Sequence, residues 1–82
     1  MSIGNDTYGT GEACRLVGIS QRQLEYWVLI GVVKPDIHPH GSRFFKRFTK
    51  KDIEILTYVK RLTDEGFLVS KAAEKARYLF GA

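Results

Sequence analysis

The sequence holds a single cysteine, Cys14, so no disulfide can form within the chain and no cysteine cluster can hold zinc. Cys14 lies between Ala13 and Arg15 in a stretch of helical pattern, where a lone thiol is expected to pack rather than to react. Long hydrophobic runs are also missing. The longest, Trp27 to Val33, is broken by Gly31 and falls far short of the ~20 residues a membrane span requires. The opening residues Met1 to Asp6 lack the basic start and apolar stretch of a secretory signal, so a cytoplasmic location is expected. There is no Gly-rich phosphate loop, and no nucleophile stands beside a base. His38 and His40 are two apart in a polar segment with no further ligand nearby, and a zinc site needs more. The reading is therefore of a non-enzyme with no cofactor and no metal. Repeats, low-complexity tracts and linkers are absent as well. At 82 residues the chain is one domain, near the size at which a single core suffices. Residues 1–7 are expected to be a flexible start and residues 8–82 the folded domain.

One segment lacks acid altogether. Residues 43–51 carry Arg43, Lys46, Arg47, Lys50 and Lys51 with no Asp or Glu, whereas the rest of the chain nearly balances. Residues 1–42 hold three basic groups against four acidic ones, and residues 52–82 hold five of each. The net charge of +4 thus sits in nine residues. Such a cluster attracts phosphate backbones through counterion release. A solvated charge run is the plain alternative. Phe44, Phe45 and Phe48, interleaved with the charges, favour a ribbon with one packed face and one phosphate-facing side.

The helical signals bracket this segment. Ser20 with Gln23 three places on has the spacing of a capping box. Leu24, Trp27 and Val28 follow at one-face spacing, and Gly31 ends the helix. Arg22 and Tyr26 project from the other side, flanked by Gln21 and Glu25. Upstream, Ala13, Leu16 and Val17 form a shorter stripe, with Thr10 as the best cap. Gly18-Ile19 turns the chain, and Ile19 is placed to plug the angle between the two helices. Two short helices about a tight Gly-containing turn make a helix-turn-helix. After it, Val32 and Val33 read as a first strand, limited by Pro35. Asp36 to Ser42 has turn composition, and Phe44 to Phe48 forms a second strand. Thr49 with Asp52 repeats the cap spacing, and Ile53, Leu56, Val59 and Leu62 form the stripe of a third helix, widened by Ile55 and Tyr58. Gly66 stops it. Val69, Ala72, Ala73, Ala76 and Phe80 then give a fourth helix with a small-residue face, expected to pack on its neighbour. The fold class is mainly α: a winged helix-turn-helix of about four helices with a two-stranded hairpin wing, suited to reading DNA.

Five motifs in order, over Tyr8 to Phe80, resemble the MerR family of bacterial transcription regulators. They are Gly11 to Ser20, Gln23 to Trp27, Leu29 to Pro35, Phe45 to Thr49 with Lys51 to Ile53, and Val59 to Phe67. The resemblance implies that the helix at residues 20–30 enters the major groove and that the wing at 32–48 lies on the flanking backbone. Family members generally act at promoters with unusually long spacers and distort the DNA as they bind. Carried over by position, Gln21, Arg22 and Tyr26 fall on the recognition surface. Lys46 matches a wing position that contacts DNA in the family, and Lys34, Arg43 and Arg47 are counted with it as candidate DNA contacts from the residues themselves. Two residues depart from the pattern. Glu25 stands where Arg is usual; it could accept from a cytosine amino group, but the expectation is a pair with Arg22 on the helix surface. Lys46 stands where the wing usually has Arg, keeping charge but losing bidentate geometry, with Arg43 and Arg47 to compensate.

The implied partners are double-stranded DNA, RNA polymerase at a promoter, and a second copy in a dimer or cooperative oligomer on DNA. No membrane is implied, and the location is the cytoplasm with nucleoid association. Family members continue into a long coiled-coil helix, which would begin where this sequence stops at Ala82. A fragment of a longer regulator and a short, cooperatively binding member are both compatible with that. Two other functions fit the same residues: an excisionase-like protein that bends DNA, and a protein-interaction module supported by Glu25 and the near-neutral first half.

Overall fold

Residues 7–81 are described by the structure, a computed structural model of the chain. A two-residue strand, β1 (Thr7–Tyr8), leads into α1 (Thr10–Val17). That helix starts at Thr10 itself, the expected cap, one residue earlier than predicted. Gly9 takes the cap position, its carbonyl accepting from the Ala13 amide at 2.9 Å, and Glu12 reaches back to accept from the Gly9 amide at 3.2 Å. The shift follows from β1: Tyr8 pairs with Phe48, so the chain is held in strand geometry up to Tyr8 and turns into helix at once. Of the expected stripe, Ala13 and Val17 are buried, while Leu16 faces solvent.

The turn Gly18-Ile19 leads to α2 (Gln21–Leu29), and Ile19 is buried between the helices as its position implied. Ser20 caps α2, its Oγ accepting from the Gln23 amide at 3.0 Å. At the other end Gly31 has φ +90°, and the helix closes with two bonds: the Val32 amide donates to the Trp27 carbonyl and the Gly31 amide to the Val28 carbonyl. This is a Schellman closure, which needs a left-handed residue at the glycine position. The α3 helix ends the same way, with Phe67 donating to Leu62 and Gly66 to Thr63.

The wing differs from its expected boundaries. Val32 and Val33 are not a strand: both are buried in the connection after α2. The first wing strand is β2 (Asp36–His40), within the segment read as a turn, and the second is β3 (Arg43–Thr49). Only Gly41-Ser42 forms the turn, a two-residue loop with Gly41 at φ +66°. Glycine in first place is what such a loop favours. Pro39 is tolerated because β2 is an edge strand in the antiparallel order β1-β3-β2. Thr7 pairs with Thr49, so the sheet has three strands and Thr7 belongs to it rather than to the expected flexible start. Residues 1–6 and Ala82, which that start and the domain boundary also covered, lie outside the described residues.

Thr49 caps α3 (Lys50–Asp64) with the reciprocal bonds its spacing predicted: Thr49 donates to Asp52 Oδ2 at 2.9 Å, and Asp52 donates to Thr49 Oγ1 at 3.1 Å. Ile55, Leu56, Val59 and Leu62 are buried along its inner face. In α4 (Val69–Phe80), Ala72, Ala73 and Ala76 are buried against α3, and Phe80 meets the Tyr58 ring edge-on at 5.8 Å. The small-residue face is thus spent on close helix packing. Phe48, Leu24, Leu56 and Val59 are the large side chains most fully enclosed in one continuous core.

Candidate nucleic-acid interface

The core fixes which face α2 presents. Leu24 and Trp27 are buried and Val28 half-buried, so Arg22 and Tyr26 project on the opposite side, with Tyr26 about half exposed. Gln21 and Glu25, one turn apart, lie on the flank between these faces. Glu25 does not pair with Arg22 as expected. Its Oε2 accepts from the Gln21 side-chain Nε2 at 3.2 Å, and no ion pair to Arg22 forms among the described residues. Both partners were available to Glu25 at helical spacing, and the i, i+4 choice leaves Arg22 unengaged.

Gln21 and Glu25 line a groove whose opposite wall is β3, with Lys46 and Arg47, and whose floor includes Leu24, Val28 and Phe48. The groove brings together three of the expected contact residues, Gln21, Lys46 and Arg47. Arg22, next to Gln21 in sequence but about 100° further round the helix, does not line this groove. The remaining expected residues lie elsewhere. Arg43 is at the wing tip, its guanidinium 5.6 Å from the centroid of the Phe45 ring, which His40 meets edge-on at 6.0 Å. Tyr26 borders a second groove, shared with Ile30, Ser70 and Arg77. Lys34 borders a cavity with Lys51 and Arg77.

Alternation along β3 decides the rest. Phe44, Lys46 and Phe48 share one face, and Arg43, Phe45 and Arg47 the other. Only Phe48 is packed. Phe44 is 72% exposed and Phe45 43%, so the wing has no packed face beyond its base and the expected two-sided ribbon is not observed. The core ends at Phe48, and among the described residues the outer hairpin is not packed against it.

Arg47 is held from below. Its Nε donates to Thr7 Oγ1 at 3.1 Å and its Nη2 to the Thr7 carbonyl at 3.0 Å, both bonds partly buried. Its fork therefore ties β3 to β1 across forty residues of sequence. Cys14, half-buried on α1, has its thiol pushed up by burial and by the Glu25 carboxylate, with Arg15 pulling the other way. A thiol so placed is a poor nucleophile at neutral pH. Lys51 was visible in the basic run, but nothing local links Arg77 on α4 to the end of α2.

A capped helix with an outward polar face, a preceding helix at a tight turn, and a cationic hairpin beside it define a winged helix-turn-helix module. A family model described as "MerR HTH family regulatory protein" matches residues 8–79, and the chain belongs to that family. Membership implies DNA binding and a part in transcription regulation. Among its relatives are an uncharacterised HTH-type transcriptional regulator of Mycobacterium tuberculosis, 42% identical over 60 residues, which cover 72% of this chain and 27% of that protein. The HTH-type transcriptional repressor CarH of Myxococcus xanthus is 35% identical over 69 residues, covering 83% of this chain and 22% of the relative. Heavy metal-dependent transcription regulator 2 of Rhizobium meliloti is 30% identical over 64 residues, 78% of this chain and 42% of the relative. The chain thus spans about a fifth to two fifths of the length of these relatives. No helix among the described residues is long and apolar enough to cross a membrane.

Proposed function

We propose that this domain binds double-stranded DNA sequence-specifically as part of a transcription regulator. In this reading α2 lies in the major groove and the wing on the flanking backbone. The observation that carries it is the groove between α2 and β3, which Gln21, Lys46 and Arg47 line together. Arg22 reads base edges, for which a bidentate pair to guanine is the commonest specific contact. Tyr26 and Gln21 flank it. Lys34, Arg43 and Lys46 supply phosphate contacts, which set affinity and register without carrying sequence information. Glu25 orients Gln21 through the bond on the helix surface and thereby holds one reading side chain ready.

Action at a promoter together with RNA polymerase, and binding as a dimer or cooperative oligomer, extend the same reading. Selection of bound duplexes from a random pool tests it. The wild-type domain should enrich a defined sequence, and Arg22→Ala should lose about 1–3 kcal/mol of discrimination at one base pair while keeping backbone affinity. A pool that stays random after selection by the wild-type domain overturns sequence specificity.

A further inference from the structure

The cavity beyond the C-terminal end of α2 is walled by three cations from three separate elements. Lys34 comes from the connection after α2, Lys51 from the first turn of α3, and Arg77 from the last turn of α4. Val32, Val33 and Ile55 give it an apolar lining, and its volume of about 450 Å³ is ample for a hydrated oxyanion. The one carboxylate at its wall, Asp52, accepts from the Thr49 amide through Oδ2 at 2.9 Å. Among the described residues none of the three cations takes part in an ion pair; the two pairs that form are Lys60–Asp64 and Lys71–Glu74.

This arrangement opposes stability. Like charges bordering one partly apolar cavity repel, and Lys50 and Lys51 both occupy the first turn of α3, where the helix dipole disfavours cations. Three cations border the cavity against the single carboxylate of Asp52, and an excess of like charge at one place is expected where a ligand balances it. A single multivalent oxyanion would neutralise the three side chains and suit the helix end together.

We propose that the cavity bordered by Lys34, Lys51 and Arg77 is a binding site for a phosphate-class oxyanion. The phosphate comes from a DNA backbone or from a free anionic ligand, and two measurements separate these sources. The first uses no DNA and so stands apart from the proposed function. Thermal unfolding is followed in low-millimolar inorganic phosphate and in chloride at matched ionic strength. Phosphate should raise the Tm of the wild-type domain by about 5 °C near saturation. Arg77→Gln and Lys51→Gln should each lose most of that rise. Any general stabilisation by phosphate acting as an excluded salt persists in both variants, so the difference reads the site. Both side chains are exposed, and Lys51→Gln removes a cation the helix end disfavours, so that variant is expected to fold. Equal rises in wild type and both variants, or no rise in the wild type, overturn the proposal.

The second measurement is the salt dependence of duplex binding by Arg77→Gln. A slope of log K against log salt reduced by about 1 assigns the phosphate to the DNA backbone. An unchanged slope, with the thermal shift lost, assigns it to a free anion.

Discussion

A charged side chain near a nucleic acid can act by touching phosphate or by holding the part that does, and Arg47 separates the two roles. Two of its nitrogens donate to Thr7, so its fork is committed inside the protein. Its charge was legible in the sequence; its partner was not, because a contact forty residues away leaves no local pattern. Replacing Arg47 with Ala should cost stability by about 1–3 kcal/mol, the range for hydrogen bonds to a charged group, toward its low end because the site is only half-buried. Arg47→Lys keeps the charge but cannot reproduce the fork. It should therefore unfold at nearly the same urea concentration as Arg47→Ala, and duplex affinity should fall with little change in salt slope. A Lys variant of wild-type stability whose slope stays normal would return Arg47 to the role of a simple point charge. Cys14 belongs to this scale too. Burial and Glu25 raise the energy of its thiolate, so labelling in the folded state should be slower than for an unfolded peptide and should accelerate only at higher pH than usual.

Elements were legible where periodicity and capping agreed. Ser20 with Gln23 and Thr49 with Asp52 mark the starts of α2 and α3, and the glycines at 31 and 66 mark their ends. The wing was misplaced for reasons that can be stated. Val32 and Val33 look like a strand because they are β-branched, yet both side chains are buried, and a hairpin with one open face would bury only alternate residues. Asp36 to Ser42 looks like a turn because of its Asp, Pro, Gly and Ser, yet register depends on pairing with β3, which places Asp36 opposite Arg47 and His40 opposite Arg43. Turn composition marks where a hairpin bends, not how far its strands run. The cap of α2 is the most exposed of these determinants and the easiest to test. Ser20→Ala should lower stability by about 1 kcal/mol and Ser20→Gly by only a few tenths, read as a shift in the urea midpoint at constant m. Because α2 carries Arg22 and Tyr26, Ser20→Ala should weaken selected duplexes more than random ones.

At the scale of the whole molecule, one core holds both halves of the interface. Phe48 is fully enclosed at the base of the wing, where β3 packs against α1 and α3. Removing its ring should cost roughly 3–5 kcal/mol, much of the ~5–15 kcal/mol that a domain has in total. Phe48→Leu is thus the usable variant, and it should loosen the wing before it unfolds the helices, seen as faster amide exchange in β2 and β3. Charge at this scale is less concentrated in space than in sequence. The run at residues 43–51 divides on folding: Lys46 goes to the groove beside α2, Arg43 to the wing tip, Arg47 to β1 and Lys51 to the far cavity. Of the expected contacts, those left for backbone phosphates are Lys34, Arg43 and Lys46, with Lys51 and Arg77 added if the cavity takes a backbone phosphate. Each neutralised phosphate contributes about 0.9 to the slope of log K against log salt. One domain should therefore show a slope of roughly 3–5, and its affinity should drop on the order of a hundredfold or more between 50 and 200 mM salt. A slope near zero would mean that these cations meet no phosphate, and the placement of the wing along a duplex would have to be abandoned even if the helix still read bases.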